Sequence, residues 1–249
     1  MLIFDIETGP LPEDELKALC PTFDDSKFQP SEFDPASVKV GNLGEEKAKA
    51  KIEDARKFHE IAQTHLATDR ELAETRHLED FINRAALSPA TGRVEAIGVL
   101  NGATNAAGIL SGDECDILSS FWAKVEKCSK EGRKLIGHNI HGFDIPFLIR
   151  RSWVHEIDVP MSLLFSGRYP NDRLFVDTMT VWGCGNYRDS ISLDNLAKAF
   201  GYPGKPDGIT GADFSRLWRG TAEERQQAEA YLINDLQMTA AVARRMQIF

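Results

Sequence analysis

Residues 2 to 10 read LIFDIETGP, and the run from Leu2 to Ile6 is apolar except for Asp5. A short apolar run broken by Thr8, Gly9 and Pro10 predicts a buried strand that ends in a turn. Side chains alternate along a strand, so Asp5 and Glu7 share one face while Phe4 and Ile6 enter the other layer. Two carboxylates at the end of a buried strand repel and raise each other's pKa, a conflict that a divalent cation removes. A second Asp-x-Glu, Asp69-Arg70-Glu71, falls in a polar helical stretch and reads as solvated surface. Asp5 and Glu7 by themselves leave both a metal role and an ordinary strand end open.

Outward from this strand the composition changes. Residues 11 to 80 carry Pro, Asp and Ser through positions 21 to 37, then a polar stretch, EEKAKAKIEDARKFHEIAQTHLATDRELAET, which reads as a helix or helix pair. Pairs such as Glu53 with Lys57 suit a solvated helical face. This segment reads as an insertion. After it, residues 93 to 100 and 106 to 111 predict two strands turning around Asn101-Gly102. Ile117, Leu118, Phe121, Trp122, Val125 and Cys128 then recur at helical spacing, and KLIGHN follows as a strand. A helix near 143 to 155, a strand at 174 to 176, a helix near 193 to 200 and a last helix from about 222 to 246 complete an α/β pattern, with helices on the faces of a sheet.

Two further clusters carry chemistry. GHNIHGFDIPFL, residues 137 to 148, lies where a strand gives way to a helix, the place where ligands gather in open α/β sheets. Asn139 and Asp144 bracket the turn and also suit helix capping. On the last helix, Thr221-Ala222-Glu223-Glu224 forms a capping box, and Tyr231 and Asp235 stack one turn apart beside the apolar stripe of Leu232, Leu236 and Ala243. Taken alone, that pair reads first as a packing tyrosine and a solvated aspartate.

In this order, Asp5-Ile6-Glu7, Asn139-x-x-x-Phe143-Asp144 and Tyr231-x-x-x-Asp235 resemble the three exonuclease motifs of the DEDD superfamily, which has a ribonuclease H-like fold. Tyrosine four residues before the last aspartate matches the DEDDy branch; the other branch has histidine where this chain has Ala230. The wording is most similar to the 3'-5' proofreading domain of family B DNA polymerases and its stand-alone bacterial and phage relatives. SLDNLAKAFG, residues 192 to 201, resembles a segment between the second and third motifs, and FDPASVKVGN, residues 33 to 42, resembles a segment of the stand-alone relatives. The likeness covers residues 1 to 10 and about 92 to 246; the insertion departs from the polymerase pattern. It implies a mixed α/β sheet flanked by helices with a helical insertion after the first strand. The chain then forms one exonuclease domain over 1 to 249, interrupted at about 11 to 80.

The resemblance implies a 3'-5' exonuclease that releases nucleoside 5'-monophosphates from single-stranded DNA. Asp5, Glu7, Asp144 and Asp235 would hold two divalent cations, Mg²⁺ or Mn²⁺, as suits an all-oxygen ligand set. Tyr231 would orient the attacking water, and Thr8, Asn139 and Phe143 would line the pocket of the terminal nucleotide. Asp177 reads as structural, and His138 and His141 as structural or as minor phosphate contacts. Arg168, Arg173, Arg188, Lys198 and Lys205 are candidates for following the backbone. With no length for a polymerase after the core, the chain is expected to act alone or with a separate polymerase or a replication or repair protein. The rivals are a 3'-5' exoribonuclease similar to RNase D and a non-catalytic nucleic-acid binding module.

Composition agrees once it is divided. The 249 residues carry a net charge of -9, which at first argues against a phosphate-bearing partner. Residues 11 to 80, however, hold 17 acids and 10 bases, and the remainder 21 acids and 19 bases. Most of the acidity therefore belongs to the insertion and to the four proposed ligands. Four scattered cysteines suggest neither a zinc site nor a disulfide framework. No apolar run spans a membrane and no signal peptide precedes the first strand, so a cytoplasmic protein without membrane contact is expected.

Overall fold

The structure is a computed structural model describing every residue except 167, 168, 187, 206 and 207. The chain divides into two compact units, Met1–Glu13 with Arg84–Phe249, and Asp14–Asn83.

The first unit is built on a five-stranded sheet. Its strands are β1 (Leu2–Pro10), β2 (Gly92–Asn101), β3 (Ala107–Ser111), β4 (Leu135–Gly137) and, after a small hairpin of β5 (Phe165–Ser166) and β6 (Tyr169–Pro170), β7 (Phe175–Asp177). The order is β3-β2-β1-β4-β7. β1, β2 and β3 pair antiparallel, whereas β4 runs parallel to β1 and β7 parallel to β4. This is the mixed α/β sheet, in ribonuclease H-like arrangement, that the sequence predicts. β1 is longer than its apolar run: Thr8, Gly9 and Pro10 stay paired with Val94, Arg93 and Gly92 beyond a register shift at Glu7/Thr8.

Helices cover both faces. On one side α3 (Glu114–Lys130) and α4 (Asp144–Val154) bury Ile117, Leu118, Phe121, Phe147 and Leu148 against Phe4, Ile6 and Ile97. Asp113 caps α3 by accepting from the Cys115 amide, as its position before an apolar-periodic stretch favours. On the other side α9 (Ala222–Arg245) lays Leu236, Ala240 and Ala243 on Ile3, Leu100 and Ile136. The close approach depends on Gly98, where a Cβ would lie 2.9 Å from the side chains of Leu232 and Leu236. Between α4 and α9 the chain adds α5 (Met161–Leu164), α6 (Thr178–Trp182), α7 (Leu193–Ala199) and α8 (Gly211–Trp218). α8 packs Phe214, Leu217 and Trp218 on Ala96, Ala228 and Tyr231. The sequence reading missed α8.

The second unit contains most of α1 (Glu13–Leu19), two short 3-10 turns and α2 (Glu45–Arg84), the single helix of the two arrangements that the sequence leaves open. α2 buries none of its residues. It is held to the preceding segment by polar and ring contacts: His59 to Ser31 O, Arg70 to Asp25, His77 to Pro21 O, and the Phe33 ring tilted against that of His59. Among the described residues no helix is long and apolar enough to cross a membrane.

Candidate active site

The site forms where β1, β4 and the start of α4 meet α9. β1 presents Asp5 and Glu7 on the α9 side because Phe4 and Ile6 occupy the opposite core. The capping box at Thr221 and Glu224 fixes the start of α9, and the helix then carries Tyr231 and Asp235, both buried, one turn apart. Ligand oxygens of Asp5, Glu7 and Asp235 all lie within 4.8 Å of one another. Asp144, the first residue of α4, joins them from the other side: its Oδ1 accepts from the Ile6 amide, between Asp5 and Glu7, at 3.2 Å.

Crowding these acids in the interior is electrostatically costly. Burial, then the neighbouring Asp235, pushes the Asp5 carboxyl up to about 7. Burial, followed by Asp5, raises Glu7 and Asp144 well above the ordinary carboxylate range. Burial likewise raises Asp235, although Lys205 opposes it. Asp235 Oδ1 is buried without a hydrogen-bond partner. A buried carboxylate oxygen with no donor, inside a set of hard oxygen ligands, fits a divalent cation such as Mg²⁺ or Mn²⁺.

The site also contains a cation of its own. Lys205 Nζ donates to Asp235 Oδ2 at 2.5 Å and to the Tyr231 hydroxyl at 2.6 Å, and lies 4.5 Å from the Tyr231 ring centre. Its backbone amide donates to Asp194 Oδ1 at 2.7 Å, so the first turn of α7 places it. Burial works against the ammonium charge, but Asp235 holds its pKa well above the usual lysine range. Burial pushes the Tyr231 hydroxyl up to about 12 against the opposing pull of Lys205.

The other residues singled out by sequence take varied positions. Thr8 is turned to the Ala86 carbonyl, to which its hydroxyl donates at 2.8 Å. Asn139 adopts a left-handed φ of 61° in the turn after β4, and Phe143 ends that turn with its ring 5.4 Å from Phe147. The turn is shaped by buried Asp177, whose carboxylate accepts from the amides of Asn139, His141 and Met179. His138 bonds Thr178 Oγ1 and Ile191 O, each at 2.8 Å. Lys198 pairs with Asp194. Arg173 and Arg188 lie in loops outside the carboxylate cluster, and Arg168 lies outside the described residues.

No curated protein sequence matches the chain. The fold is similar to that of the family B DNA polymerase from the hyperthermophilic archaeon Pyrobaculum calidifontis, with a TM-score of 0.52 at 19% identity. That likeness covers 66% of this chain and 23% of the polymerase chain, so less than a quarter of the polymerase's length is represented. Over residues 93–249 the sequence matches the model of a family described as a predicted 3'-5' exonuclease related to the exonuclease domain of PolB. Asp5 and Glu7 precede that match, and it is the pairing of β1 with β2 that brings them to Asp235. With more than half its length matched, the chain belongs to this family of predicted 3'-5' exonucleases related to the PolB exonuclease domain.

Proposed function

We propose that the protein is a metal-dependent exonuclease that removes nucleoside 5'-monophosphates from the 3' ends of single-stranded DNA. The observation that carries this reading is the convergence of Asp5, Glu7 and Asp235 oxygens within 4.8 Å, from a strand and a helix distant in sequence. Asp144 is the fourth carboxylate of the set. The unit of Met1–Glu13 with Arg84–Phe249 is the exonuclease domain in this proposal, and Asp14–Asn83 an insertion in it.

Two divalent cations held by these residues would lower the pKa of the attacking water and offset charge on the leaving 3'-oxygen. The chain's own groups do the rest. Tyr231, with its pKa pushed up to about 12, keeps its proton at neutral pH. In the site without metal this suits it to orient the attacking water rather than to take its proton, unless bound cations lower the value. Lys205 supplies a permanent positive charge beside Asp235 and Tyr231, where phosphate charge develops during cleavage. The turn from Asn139 to Phe143 offers a polar group and a ring to the terminal nucleotide, as stacking platforms do for single strands. Thr8 contributes chiefly by fixing the end of β1 through Ala86.

Degradation of 3'-labelled DNA and RNA oligonucleotides in parallel, with Mg²⁺ or Mn²⁺, tests the proposal. Release of 5'-mononucleotides from DNA, lost in the Asp5→Ala/Asp144→Ala double variant while the circular dichroism spectrum is retained, is the expected result. Trimming of RNA alone would replace DNA by RNA as substrate, and no release from either would refute the enzymatic reading.

A further inference from the structure

We propose that the ion pair of buried Glu95 with half-exposed Arg219 is a positioning device for Glu7, holding the β-bulge beside it so that the Glu7 carboxylate meets Asp5 and Asp235. The inference rests on Glu7 being a metal ligand, as argued above. Across the β1–β2 ladder Glu7 faces Ala96, but Thr8 faces Val94, which leaves Glu95 as the extra residue of β2. The consecutive residues Ala96 and Glu95 both reach α8: Ala96 packs with Phe214 and Leu217, and Glu95 bonds Ser215 and Arg219. Val94 then returns to the opposite core with Ile97 and Phe121. A bulge next to a functional residue bends its strand and re-aims what lies beside it.

What fixes this bulge is electrostatic. Glu95 is 4% exposed. Its Oε1 accepts from Arg219 Nε at 2.5 Å and from Ser215 Oγ at 3.1 Å, with Arg93 Nη2 at 3.8 Å. Arg219 also donates from Nη2 to Pro10 O at 2.7 Å, tying the residue that ends α8 to the last residue of β1. Glycine at position 9 makes room for the pair, because a Cβ there would overlap Glu95 Oε1 and Ser215 Oγ. At its other end α8 touches the site: a Cβ on Gly211 would sit 3.7 Å from the Tyr231 hydroxyl, and Phe214 packs 6.4 Å from the Tyr231 ring. One short helix thus spans from the end of β1 to the tyrosine, and the ion pair ties it to the bulge opposite Glu7. With the Arg219 side chain 38% exposed, solvent screening limits the stability the pair adds, and Glu95 Oε2 has no hydrogen-bond partner. The geometry it imposes explains its place better than any stability it adds.

Mn²⁺ binding to the nucleic-acid-free protein, followed by electron paramagnetic resonance and calorimetry well below the melting temperature, tests this without using activity. Arg219→Ala and the isosteric Glu95→Gln are expected to weaken Mn²⁺ binding by about tenfold, as loss of outer-shell support does. In a Glu7→Gln background, Arg219→Ala should cost nothing further, since its effect passes through Glu7. Equal weakening by Arg219→Ala in both backgrounds would show general loosening and overturn the proposal. Unchanged Mn²⁺ affinity in both Arg219→Ala and Glu95→Gln, with weakened binding in Glu7→Gln, would overturn it too while leaving Glu7 a ligand. Unchanged affinity in Glu7→Gln itself would remove Glu7 from the metal site and the proposal with it.

Discussion

The Lys205 ammonium lies 2.5 Å from Asp235 Oδ2 and 2.6 Å from the Tyr231 hydroxyl, so a side-chain cation is built into a cluster of acids. In the metal-free protein it is the cation nearest Asp235, and removing it leaves buried like charges facing one another. Breaking such a pair from one side costs a few kcal/mol. Lys205 retains partial exposure, with 28% of its side chain accessible, and solvent screening reduces that cost. Lys205→Ala is therefore expected to lose about 2 kcal/mol in EDTA and to regain more melting temperature on addition of Mg²⁺ than wild type does. Differential scanning calorimetry with and without Mg²⁺ checks this; identical Mg²⁺ responses would show that Lys205 and the metal do not compensate the same charge.

Asp5 is partly buried beside Glu7 and Asp235 and bears their repulsion. Asp5→Asn removes one charge while preserving shape. The metal-free fold should become more stable, by about 1 kcal/mol, while nucleotide release falls by at least about a hundredfold, as for a group needed to stabilise developing charge. Urea unfolding in EDTA and single-turnover assays measure the two effects. A loss in both would mean that Asp5 serves mainly to hold the fold together.

The parts of this site legible in sequence are those whose signals are local. Strand alternation places Asp5 with Glu7, a strand-to-helix junction places Asp144 and a capped helix of 24 residues places Tyr231 with Asp235, but each pattern alone leaves a structural role open, and the resemblance to the exonuclease motifs is what joins them. Lys205 sits in the loop between α7 and α8, and its approach to Asp235 depends on a backbone contact with Asp194, eleven residues earlier. Nothing in its immediate neighbours distinguishes it from the other loop cations. α8 is eight residues long and lies between Gly208 and Gly220, so its helical spacing is confined to a single apolar triplet. Its readable signals are Asp213, which reaches back to the Thr210 amide three residues before it, and Phe214, Leu217 and Trp218 at helical spacing. The continuation of β1 through Gly9 and Pro10 was hidden for a tertiary reason, because the bulge at Glu95 lets residues that normally break a strand stay paired.

The raised carboxyls make stability depend on pH with an unusual sign. Asp5 rises from 3.8 to about 7 on folding, and Glu7 and Asp144 rise as well. Between pH 4 and pH 7 the folded, metal-free protein therefore binds protons that the unfolded chain has released. Its stability should be greatest toward the acidic end of that window and fall as pH rises through 7. A cation that replaces those protons releases them. Calorimetric titration of Mn²⁺ at pH 6 in buffers of different ionisation enthalpy should show release of about one proton or more per protein, with affinity weakening as pH is lowered. Heats independent of the buffer would mean that the cluster is already ionised and that the acids are not crowded as described.

Asp177 accepts three backbone amides, from Asn139, His141 and Met179, while only 3% exposed. It thereby closes the turn that delivers Asn139, Phe143 and Asp144 to the site, even though its own carboxylate takes no place in the cluster of Asp5, Glu7 and Asp235. Asp177→Ala leaves three part-buried amides without their acceptor at a cost of about 2 kcal/mol, whereas Asp177→Asn keeps an acceptor for some of them and should cost less. Because Asp144 begins its helix five residues after Asn139, a loosened turn should raise KM for oligonucleotide through Asn139 and Phe143 and lower kcat through Asp144. Urea denaturation together with steady-state kinetics separates these effects. If Asp177→Ala left the fold stable but abolished Mn²⁺ binding, Asp177 would belong among the ligands and not to the scaffold beneath them.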